Sequence, residues 1–529
     1  MGRISMDASP ALKYFPDVYP DHIVADLPRR WDRGQRCFVL PANMRILNTL
    51  KTRNPRAYVD SKVLVWAEAQ IARLQLLHNL SHQERSGWIP SHLPPYWDLL
   101  YPYQRLAIEH LVQAKRALCA LEPGLGKTAV AANAAYIVDA KKVLVVTLLS
   151  LLQWWKYEIK RWTMSDSIRI CHGNAPGPEV WTVANYDSIV HNTTAFAGPW
   201  DVVIIDESVS IKNRHTHRFR ALKQITSGIE YIWLLSGSPT TKYADDLWTQ
   251  FHLLDPKFFS SYWRFAQQWC MIDDSPWGQR IIGTKNPNIL GEYEDLCFYK
   301  RQDDVLDLPP FIEQIIPTEL GPTQEVLYRQ MQKEFLVELG RENVVISPNL
   351  LAQMLRLMQL ASNPAMLGGP DTSAKRDALL ELLEHVTHPV VVWTLFRHTG
   401  EDLYVRLMGA GYRVRYMCGD TPEEERASAV SKFQEGQLDV LIANQMVGKY
   451  GLTLTKARTA IWLERNFGYD HWVQAKFRVR RIGTSHSPVL MILEAASIDR
   501  VVRFNLERKI QAVRQLTTFQ MADMFQSSE

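Results

Sequence analysis

One loop in the sequence carries the residue types that hold the phosphates of a nucleotide. It reads LEPGLGKT from Leu121 onwards and precedes a run of small residues. Gly124 and Gly126 allow backbone N–H groups to approach phosphates, and the N-terminus of the following helix favours negative charge. Lys127 would reach the β- and γ-phosphates of ATP, and the Thr128 hydroxyl would ligate Mg²⁺. The usual pattern begins with glycine instead of leucine, so a glycine-rich turn before an ordinary helix is the alternative interpretation.

Two adjacent carboxylates follow an apolar run downstream of this loop. Asp206 and Glu207 end the segment DVVIIDE, which begins at Asp201 and is typical of a buried strand. Ligands bind at the carboxyl ends of parallel strands, and this segment is far enough from the loop to be a later strand of the same sheet. Asp206 would hold Mg²⁺ directly or through water, and Glu207 would orient and deprotonate the attacking water. Without the loop, two solvated acids would be the simpler interpretation.

A basic cluster near the C-terminus has the spacing of one helical face. Gln474, Arg478 and Arg481 are four and three positions apart, so they would share one face of a helix. An arginine beside the γ-phosphate stabilises the transition state of phosphoryl transfer. The alternative is a basic surface helix that contacts a phosphate backbone, and this alternative applies above all to Arg480.

Two series of short apolar runs would position these residues. They lie at 142–147, 201–205 and 231–235, and then at 389–393, 412–416, 438–442, 459–463 and 489–493. Apolar runs separated by amphipathic stretches predict parallel sheets covered by helices. The spacing between the two series predicts two α/β lobes, and the region 245–385 between them has a mostly helical pattern.

The remaining patterns suggest the domain boundaries. The N-terminal part has short strands around a turn between Leu27 and Pro41, then helical periodicity from Val63 to Leu77, and a proline-rich linker up to Pro95. We therefore predict an accessory α+β domain at 1–95, a first lobe with a helical insertion at 96–316, a helical linker and second lobe at 317–516, and a C-terminal tail at 517–529.

Composition limits the function classes only weakly. A net charge of +4 neither supports nor excludes a nucleic-acid partner, because a local basic groove is what matters. The six cysteines are scattered and form no C-x-x-C pair, so we expect no zinc site and no disulfide framework. No signal core and no membrane-length apolar run occurs in the sequence. We expect an intracellular protein without a membrane partner, in the cytoplasm of a bacterium or of a virus-infected bacterium.

Eight segments in this order resemble helicase superfamily two, and within it the Swi/Snf-type DNA translocases. The resemblance covers residues 96 to 500, most of the chain. The segments are LYPYQ (100–104), LEPGLGKT (121–128), LLSLLQWWKYE (148–158), DESVSIKN (206–213), SGSPT (236–240), the basic stretch and LPP between 299 and 310, and finally GLTLTKA (451–457) with QAKFRVRRIG (474–483) in the second lobe. The serine-leucine-leucine, tryptophan and glutamate pattern of 148–158 argues against an ordinary RNA helicase.

The resemblance implies two tandem RecA-like lobes with ATP between them. It implies that Gln104 reads the adenine, and that Gly451 lies in a stretch that touches both nucleotide and DNA. Arg478 and Arg481 fall on the two arginine positions of the final motif, and Gln474 begins it. The chain differs from the family's motifs at seven positions. It has Ser208 and Val209 where the family has alanine and histidine, Ser236 and Ser238 where it has threonine, Thr453 where it has asparagine, Arg480 where it has histidine, and Thr484 where it has glutamine.

The resemblance therefore implies an ATP hydrolase with Mg²⁺ that moves along double-stranded DNA and remodels DNA or protein–DNA structures. Residues 29–41 resemble the small recognition domain that precedes the motor in annealing helicases. This resemblance implies that the chain binds forked or branched DNA in repair, recombination or replication. We expect a monomeric motor. Two alternatives are an RNA helicase or restriction-type translocase of the same superfamily, and a nucleic-acid-binding annealing scaffold with a weak ATPase.

Overall fold

The computed structural model describes residues 2–6, 11–16, 22–275, 278–341, 348–449 and 452–517. They divide into two compact units: the first comprises the described residues up to Arg301 and those from Ala512 onwards, and the second runs from Gln302 to Gln511. Within this described part of the chain, no helix is both long and apolar enough to span a membrane.

The first unit begins with a small α+β domain. Its elements are β1 (Arg3–Met6), β2 (Ala11–Phe15), β3 (Arg30–Asp32), β4 (Cys37–Pro41), α1 (Met44–Arg53), β5 (Tyr58–Val59) and α2 (Ser61–His82). The sheet has the order β3-β4-β2-β1-β5, and β3 and β4 form an antiparallel hairpin. The rings of Trp31 and Phe38 pack edge to face across this hairpin at 4.7 Å. The predicted strands around a turn and the helix after Val63 are confirmed.

A parallel sheet in the same unit positions the phosphate loop. Its strands are β6 (Arg116–Leu121), β7 (Val143–Thr147), β8 (Ile168–Cys171), β9 (Trp181–Asn185), β10 (Val202–Asp206), β11 (Tyr231–Leu235) and β14 (Cys297–Lys300). They lie in the order β14-β6-β11-β10-β7-β9-β8. β6 ends at the loop, β10 ends at the carboxylate pair, and β11 lies between them. The sheet therefore brings both segments to one edge, where the carboxyl ends of parallel strands bind ligands.

Helices and one hairpin surround this sheet. The elements are α3 (Pro102–Ala114), α4 (Lys127–Ile137), α5 (Leu152–Thr163), α6 (Tyr186–His191), α7 (Thr193–Phe196), α8 (His217–Ile225), α9 (Trp248–Leu254), α10 (Tyr262–Trp269), β12 (Cys270–Ser275), β13 (Gly278–Thr284) and α11 (Ile289–Glu292). β12 and β13 pair with each other in antiparallel register. β10 is apolar along Val202–Ile205 and fully buried there, because neighbouring strands cover both its edges and helices cover its faces.

The second unit is another parallel α/β lobe. Its elements are α12 (Gln302–Val305), β15 (Ile312–Pro317), α13 (Pro322–Arg341), α14 (Pro348–Ser362), α15 (Ala374–His385), β16 (Val390–Thr394), α16 (Arg397–Gly409), β17 (Val414–Met417), α17 (Glu423–Gln434), β18 (Val440–Asn444), β19 (Thr459–Trp462), α18 (Tyr469–Lys476), β20 (Val489–Glu494) and α19 (Ser497–Thr517). The sheet has the order β15-β20-β19-β16-β18-β17. The prediction of two tandem RecA-like lobes with parallel sheets is confirmed.

Two details differ from the sequence patterns. The region 245–385 is helical over α9, α10 and α13 to α15, but it also contains the hairpin β12–β13 and the strands β14 and β15. The second compact unit begins at Gln302, before the predicted boundary at 316, because Ile312–Pro317 pairs with Val489–Glu494 in the second sheet. The C-terminal tail from residue 518 onwards lies outside the described residues.

Candidate nucleotide site

The phosphate loop joins β6 to α4 through two glycines in the left-handed region. Gly124 has φ 89° and Gly126 has φ 80°, which glycine adopts without a steric penalty. Gly126 is the N-cap of α4, so Lys127 and Thr128 open the helix. The Lys127 Nζ atom donates a hydrogen bond to the Leu121 carbonyl oxygen at 3.1 Å. This geometry has the open backbone and the helix N-terminus that phosphate binding requires.

Gln104 packs directly against this loop. Its Nε2 atom donates to the Leu125 carbonyl oxygen at 3.1 Å, and its Oε1 atom accepts from the Tyr101 N–H at 3.0 Å. The Tyr103 hydroxyl donates to the same Leu125 oxygen at 3.2 Å, and burial raises the pKa of Tyr103. A Cβ atom on Gly126 would collide with the Gln104 amide. Gln104 therefore holds the loop in place, and its reading of the adenine stays a proposal.

Asp206 is fixed by three hydrogen bonds at the end of β10. Its Oδ2 atom accepts from the Thr147 hydroxyl at 3.0 Å and from the Trp155 indole at 2.8 Å. Its Oδ1 atom accepts from the Glu207 N–H at 2.9 Å. A carboxylate has about four acceptor positions, so these contacts leave room on Oδ1 for water or a cation. Together with the Thr128 hydroxyl, the site offers the hard oxygen donors that suit Mg²⁺.

Glu207 occupies an unusual backbone conformation. Its φ is 48° and its ψ is 50°, a left-handed geometry that costs free energy in a residue other than glycine. The buried Tyr186 hydroxyl donates to the Asp206 carbonyl oxygen at 2.6 Å and lies 3.4 Å from that of Glu207. Burial raises the pKa of Tyr186 well above its usual range. A strained residue held by a buried neutral hydroxyl is typical of functional positions.

A buried glutamine links the carboxylate pair to the SGSPT loop after β11. Ser208 donates its hydroxyl to Gln250 Oε1 at 2.7 Å, and Gln250 Nε2 donates to the Pro239 carbonyl oxygen at 2.7 Å. The same loop touches the phosphate loop, since a Cβ atom on Gly237 would lie 3.2 Å from Lys127 Nζ. Ser208 replaces the alanine of the family pattern, and here it supplies the hydroxyl that starts this chain of contacts.

We expect Gln250→Leu to slow ATP hydrolysis roughly ten- to hundredfold, because small displacements of catalytic groups are costly. ATP affinity should stay within about twofold, since the Gln250 side chain forms its hydrogen bonds with Ser208, Pro239 and Asp246 and not with Gln104 or the phosphate loop. Steady-state kinetics of Gln250→Leu, Ser208→Ala and the double variant would test the link. A connected chain predicts that the double variant is no slower than Gln250→Leu, and additive losses would contradict it.

The remaining predicted site residues belong to the second half of the chain, and the structure describes all of them except Gly451. Arg478 is buried, and its Nε atom donates to the Gly448 carbonyl oxygen at 2.7 Å. Arg481 Nη1 donates to the Thr453 hydroxyl at 3.0 Å, and burial lowers the pKa of its guanidinium to about 10. Gln474 lies on α18. Gly451 lies outside the described residues.

The prediction that Gln474, Arg478 and Arg481 share a helical face is wrong. α18 ends at Lys476, and the chain continues through turns and bends to Gly483. The Arg478 carbonyl oxygen accepts from the Leu454 N–H at 2.9 Å, so it leaves the helical hydrogen-bond ladder. The spacing of these residues fits a helix, but a hydrogen bond to a distant segment of the chain ends the helix before Arg478.

Arg480 does not lie on a surface helix. It is buried, and its Nη2 atom pairs with Asp303 at 2.7 Å while its Nε atom donates to the Pro309 carbonyl oxygen at 2.8 Å. Its guanidinium also lies over the Phe311 ring at 5.1 Å. Arg480 therefore anchors the LPP segment within the second unit, and the interpretation as a surface contact to phosphate is wrong.

Sequence reasoning missed four residues that build the first-unit site: Thr147, Trp155, Tyr186 and Gln250. Thr147 could have been found, because it ends the apolar run 142–147 at the same sheet edge as Asp206. Trp155 stands beside Trp154 in the sequence, and periodicity does not decide which of the two faces the site. Tyr186 and Gln250 carry no local signal.

Two parallel α/β lobes, the first with a phosphate loop and an aspartate–glutamate pair, define the helicase-like class of nucleotide-binding proteins. The model of the SNF2-related domain matches residues 69–366, more than half of the chain, and that of the helicase conserved C-terminal domain matches 374–483. The chain belongs to the SNF2-related family, within helicase superfamily two.

Several known proteins are similar to this chain. The Bacillus subtilis protein YwqA, whose name describes an ATP-dependent helicase/translocase, is 25% identical over 80% of this chain and 49% of its own length. SWI/SNF-related matrix-associated actin-dependent regulator of chromatin subfamily A-like protein 1 of Xenopus tropicalis is 23% identical over 79% of this chain and 45% of its own. The DNA annealing helicase and endonuclease ZRANB3 of Bos taurus is 25% identical over 78% and 40%.

A solved structure is also similar, that of the Sulfolobus solfataricus SWI2/SNF2 ATPase core in complex with dsDNA. It is 21% identical, with a TM-score of 0.40, over 82% of this chain and 100% of that chain. This chain spans about half the length of the curated relatives that it matches.

Proposed function

We propose that this chain is a DNA-dependent ATPase that moves along double-stranded DNA and remodels DNA or protein–DNA structures. The observation that carries the proposal is the shared sheet edge of the phosphate loop and the Asp206–Glu207 pair. Lys127 binds the β- and γ-phosphates of ATP, and Gln104 contacts the adenine. Glu207 accepts the proton of the attacking water, and Arg478 and Arg481 stabilise the charge of the transferring phosphoryl group, with Gln474 beside them.

Thr128 and Asp206 would hold Mg²⁺, which neutralises phosphate charge when it is bound. The Thr147 and Trp155 hydrogen bonds keep the Asp206 carboxylate in one orientation for that purpose. Gly451 would contact nucleotide and DNA, as its place in the GLTLTKA segment suggests.

The exposed face of α5 supports a nucleic-acid partner. Trp154 and Tyr157 are 39% and 58% exposed there, and the neighbouring Lys156 is exposed as well. The opposite face buries Trp155, so only one side of the helix packs on the lobe. Exposed aromatic rings beside a lysine suit base stacking and phosphate contact.

We expect Trp154→Ala and Tyr157→Ala each to raise, by severalfold, the DNA concentration that half-maximally stimulates hydrolysis. Loss of one aromatic contact is worth about 1–3 kcal/mol. Titration of linear duplex into an ATPase assay measures this concentration. Phe504→Ala removes an aromatic ring of similar exposure, 56%, from a helix of the second unit, and it should leave the value unchanged. Equal shifts in all three variants would contradict a specific role for this face.

The hairpin β3–β4 supports the finer proposal of forked or branched DNA. Arg30, Arg33 and Arg36 are exposed on it, while Trp31 packs against Phe38. Because Trp31 already packs against Phe38, the exposed arginines are better placed to contact DNA phosphates than Trp31 is to stack on a base. The name of the similar ZRANB3 protein, a DNA annealing helicase, supports the same direction.

An ATPase assay with linear duplex, forked duplex, single-stranded DNA and RNA tests the proposed function. We expect the strongest stimulation with duplex DNA, and a further increase with the fork. Stimulation by RNA alone would favour an RNA helicase of the same superfamily. A rate that no nucleic acid raises, together with tight DNA binding, would favour the annealing scaffold.

A further inference from the structure

Two histidines on α2 converge on one glutamate from another part of the first unit. His78 and His82 lie one helical turn apart, so their side chains occupy the same face. The His78 Nδ1 atom lies 2.7 Å from Glu294 Oε2, and the His82 Nε2 atom lies 3.1 Å from Glu294 Oε1. These three side chains are remote in sequence from the nucleotide motifs and take no part in the function proposed above.

The three ligand atoms have the spacing of a metal site. They all lie within 4.8 Å of one another. Zinc binds histidine nitrogen and carboxylate oxygen at about 2.0–2.2 Å, which places neighbouring ligand atoms roughly 3–3.5 Å apart. A small adjustment of side-chain torsions would therefore admit an ion. Both histidines are partly exposed and the carboxylate is nearly buried, so water could complete the coordination from the solvent side.

The surroundings of the cluster hold its ligands in place. The buried His110 ring contacts the Glu294 carbonyl oxygen through Nε2 at 2.8 Å, which fixes the backbone of the glutamate. Lys300 donates its Nζ to the Ser81 carbonyl oxygen at 2.8 Å, on the turn of α2 that carries the histidines. Contacts of this kind orient ligands and raise the affinity of metal sites.

We propose that His78, His82 and Glu294 bind a divalent transition-metal ion of the Zn²⁺ type. The ion joins the C-terminal turn of α2 to the segment before β14. β14 pairs with β6, and Lys300 stands opposite Leu121 in that pairing. The ion therefore fastens the helix of the N-terminal domain to the strand pair that leads into the phosphate loop, and it stabilises the folded first unit.

The simpler interpretation is a pair of histidine–glutamate hydrogen bonds without an ion. Titration calorimetry with Zn²⁺ on the chelator-treated full chain separates the two, and Co²⁺ absorption spectra provide a second measurement. We expect one tight site in the wild-type chain. His78→Gln, His82→Gln and Glu294→Gln should each weaken binding at least about tenfold, since even indirect loss of ligand support has such an effect. His172→Gln removes an exposed histidine elsewhere in the first unit, and should bind as the wild-type chain does.

Thermal unfolding completes the test. Zn²⁺ should raise the Tm of the wild-type and His172→Gln chains and leave the Tm of the three cluster variants unchanged. Circular dichroism confirms that each variant is folded, and His78→Gln is the mildest change because 51% of that side chain is exposed. Absence of Zn²⁺ binding by the wild-type chain would overturn the proposal, as would equal affinity in the cluster variants and the control.

Discussion

Glu207→Gln is expected to bind ATP as the wild-type chain does and to hydrolyse it about 10²–10⁴-fold more slowly. This range is typical of the loss of a general base. The amide has the size of the carboxylate, so the left-handed turn at this position and its contact with Tyr186 should persist. The amide cannot accept the proton of the attacking water. Single-turnover hydrolysis and fluorescent-nucleotide binding measure the two quantities separately.

Two comparison variants sharpen this prediction. Lys127→Ala should lose both binding and hydrolysis, because it removes the phosphate-binding cation. Asp187→Asn removes another carboxylate of the first unit, one that pairs with Arg218 and is largely exposed, and it should leave both quantities unchanged. If Glu207→Gln retains hydrolysis within about twofold of the wild-type rate, Glu207 is not the base.

Arg481→Ala and Arg478→Ala are expected to fail in different ways. Arg481→Ala should remain folded and lose about 10³-fold or more in hydrolysis, as expected for an arginine at the transferring phosphoryl group. Arg478 is buried and donates to the Gly448 and Leu452 carbonyl oxygens at 2.7 and 3.5 Å. Its removal leaves buried acceptors, so Arg478→Ala should slow hydrolysis and in addition lower the free energy of unfolding by about 2–3 kcal/mol.

Chemical denaturation and single-turnover kinetics on both variants would measure these effects. Arg481→Lys serves as the matched control, because it keeps the charge but lacks the planar fork of donors. It should recover only part of the rate. Equal losses of stability in the two alanine variants would contradict the additional structural role of Arg478.

The nucleotide motifs could be predicted because local sequence determines them. Gly124 and Gly126 are needed for a left-handed backbone, and the apolar run before Asp206 has the length and composition of a buried strand. Parallel strands then bring their carboxyl ends to one edge, so spacing alone places Lys127 and Glu207 in the same lobe.

The contacts that hold these residues depend on packing between distant segments. Trp155 rather than Trp154 donates to Asp206 because of the rotation of α5 on the sheet. Gln250 meets Ser208 through the packing of α9. The helix that carries Gln474 ends early because Leu454 takes the Arg478 carbonyl oxygen. None of these contacts has a signature in the local pattern of residues.

The expectation of no zinc likewise depends on local sequence patterns, which do not show contacts between distant segments. It rests on the scattered cysteines and stays a prediction, whereas the proposed ligands are two histidines and a glutamate. The spacing of His78 and His82 is visible in the sequence, but Glu294 joins them only after the chain has folded.

ATP-driven displacement of a third strand from duplex DNA tests the proposed translocation most directly. A protein that moves along the duplex removes the third strand without separating the two strands of the duplex. We predict displacement by the wild-type chain that requires ATP and is absent with Glu207→Gln. The proposed movement along duplex DNA would be contradicted if the wild-type chain hydrolyses ATP in the presence of the triplex and releases no more third strand than Glu207→Gln does.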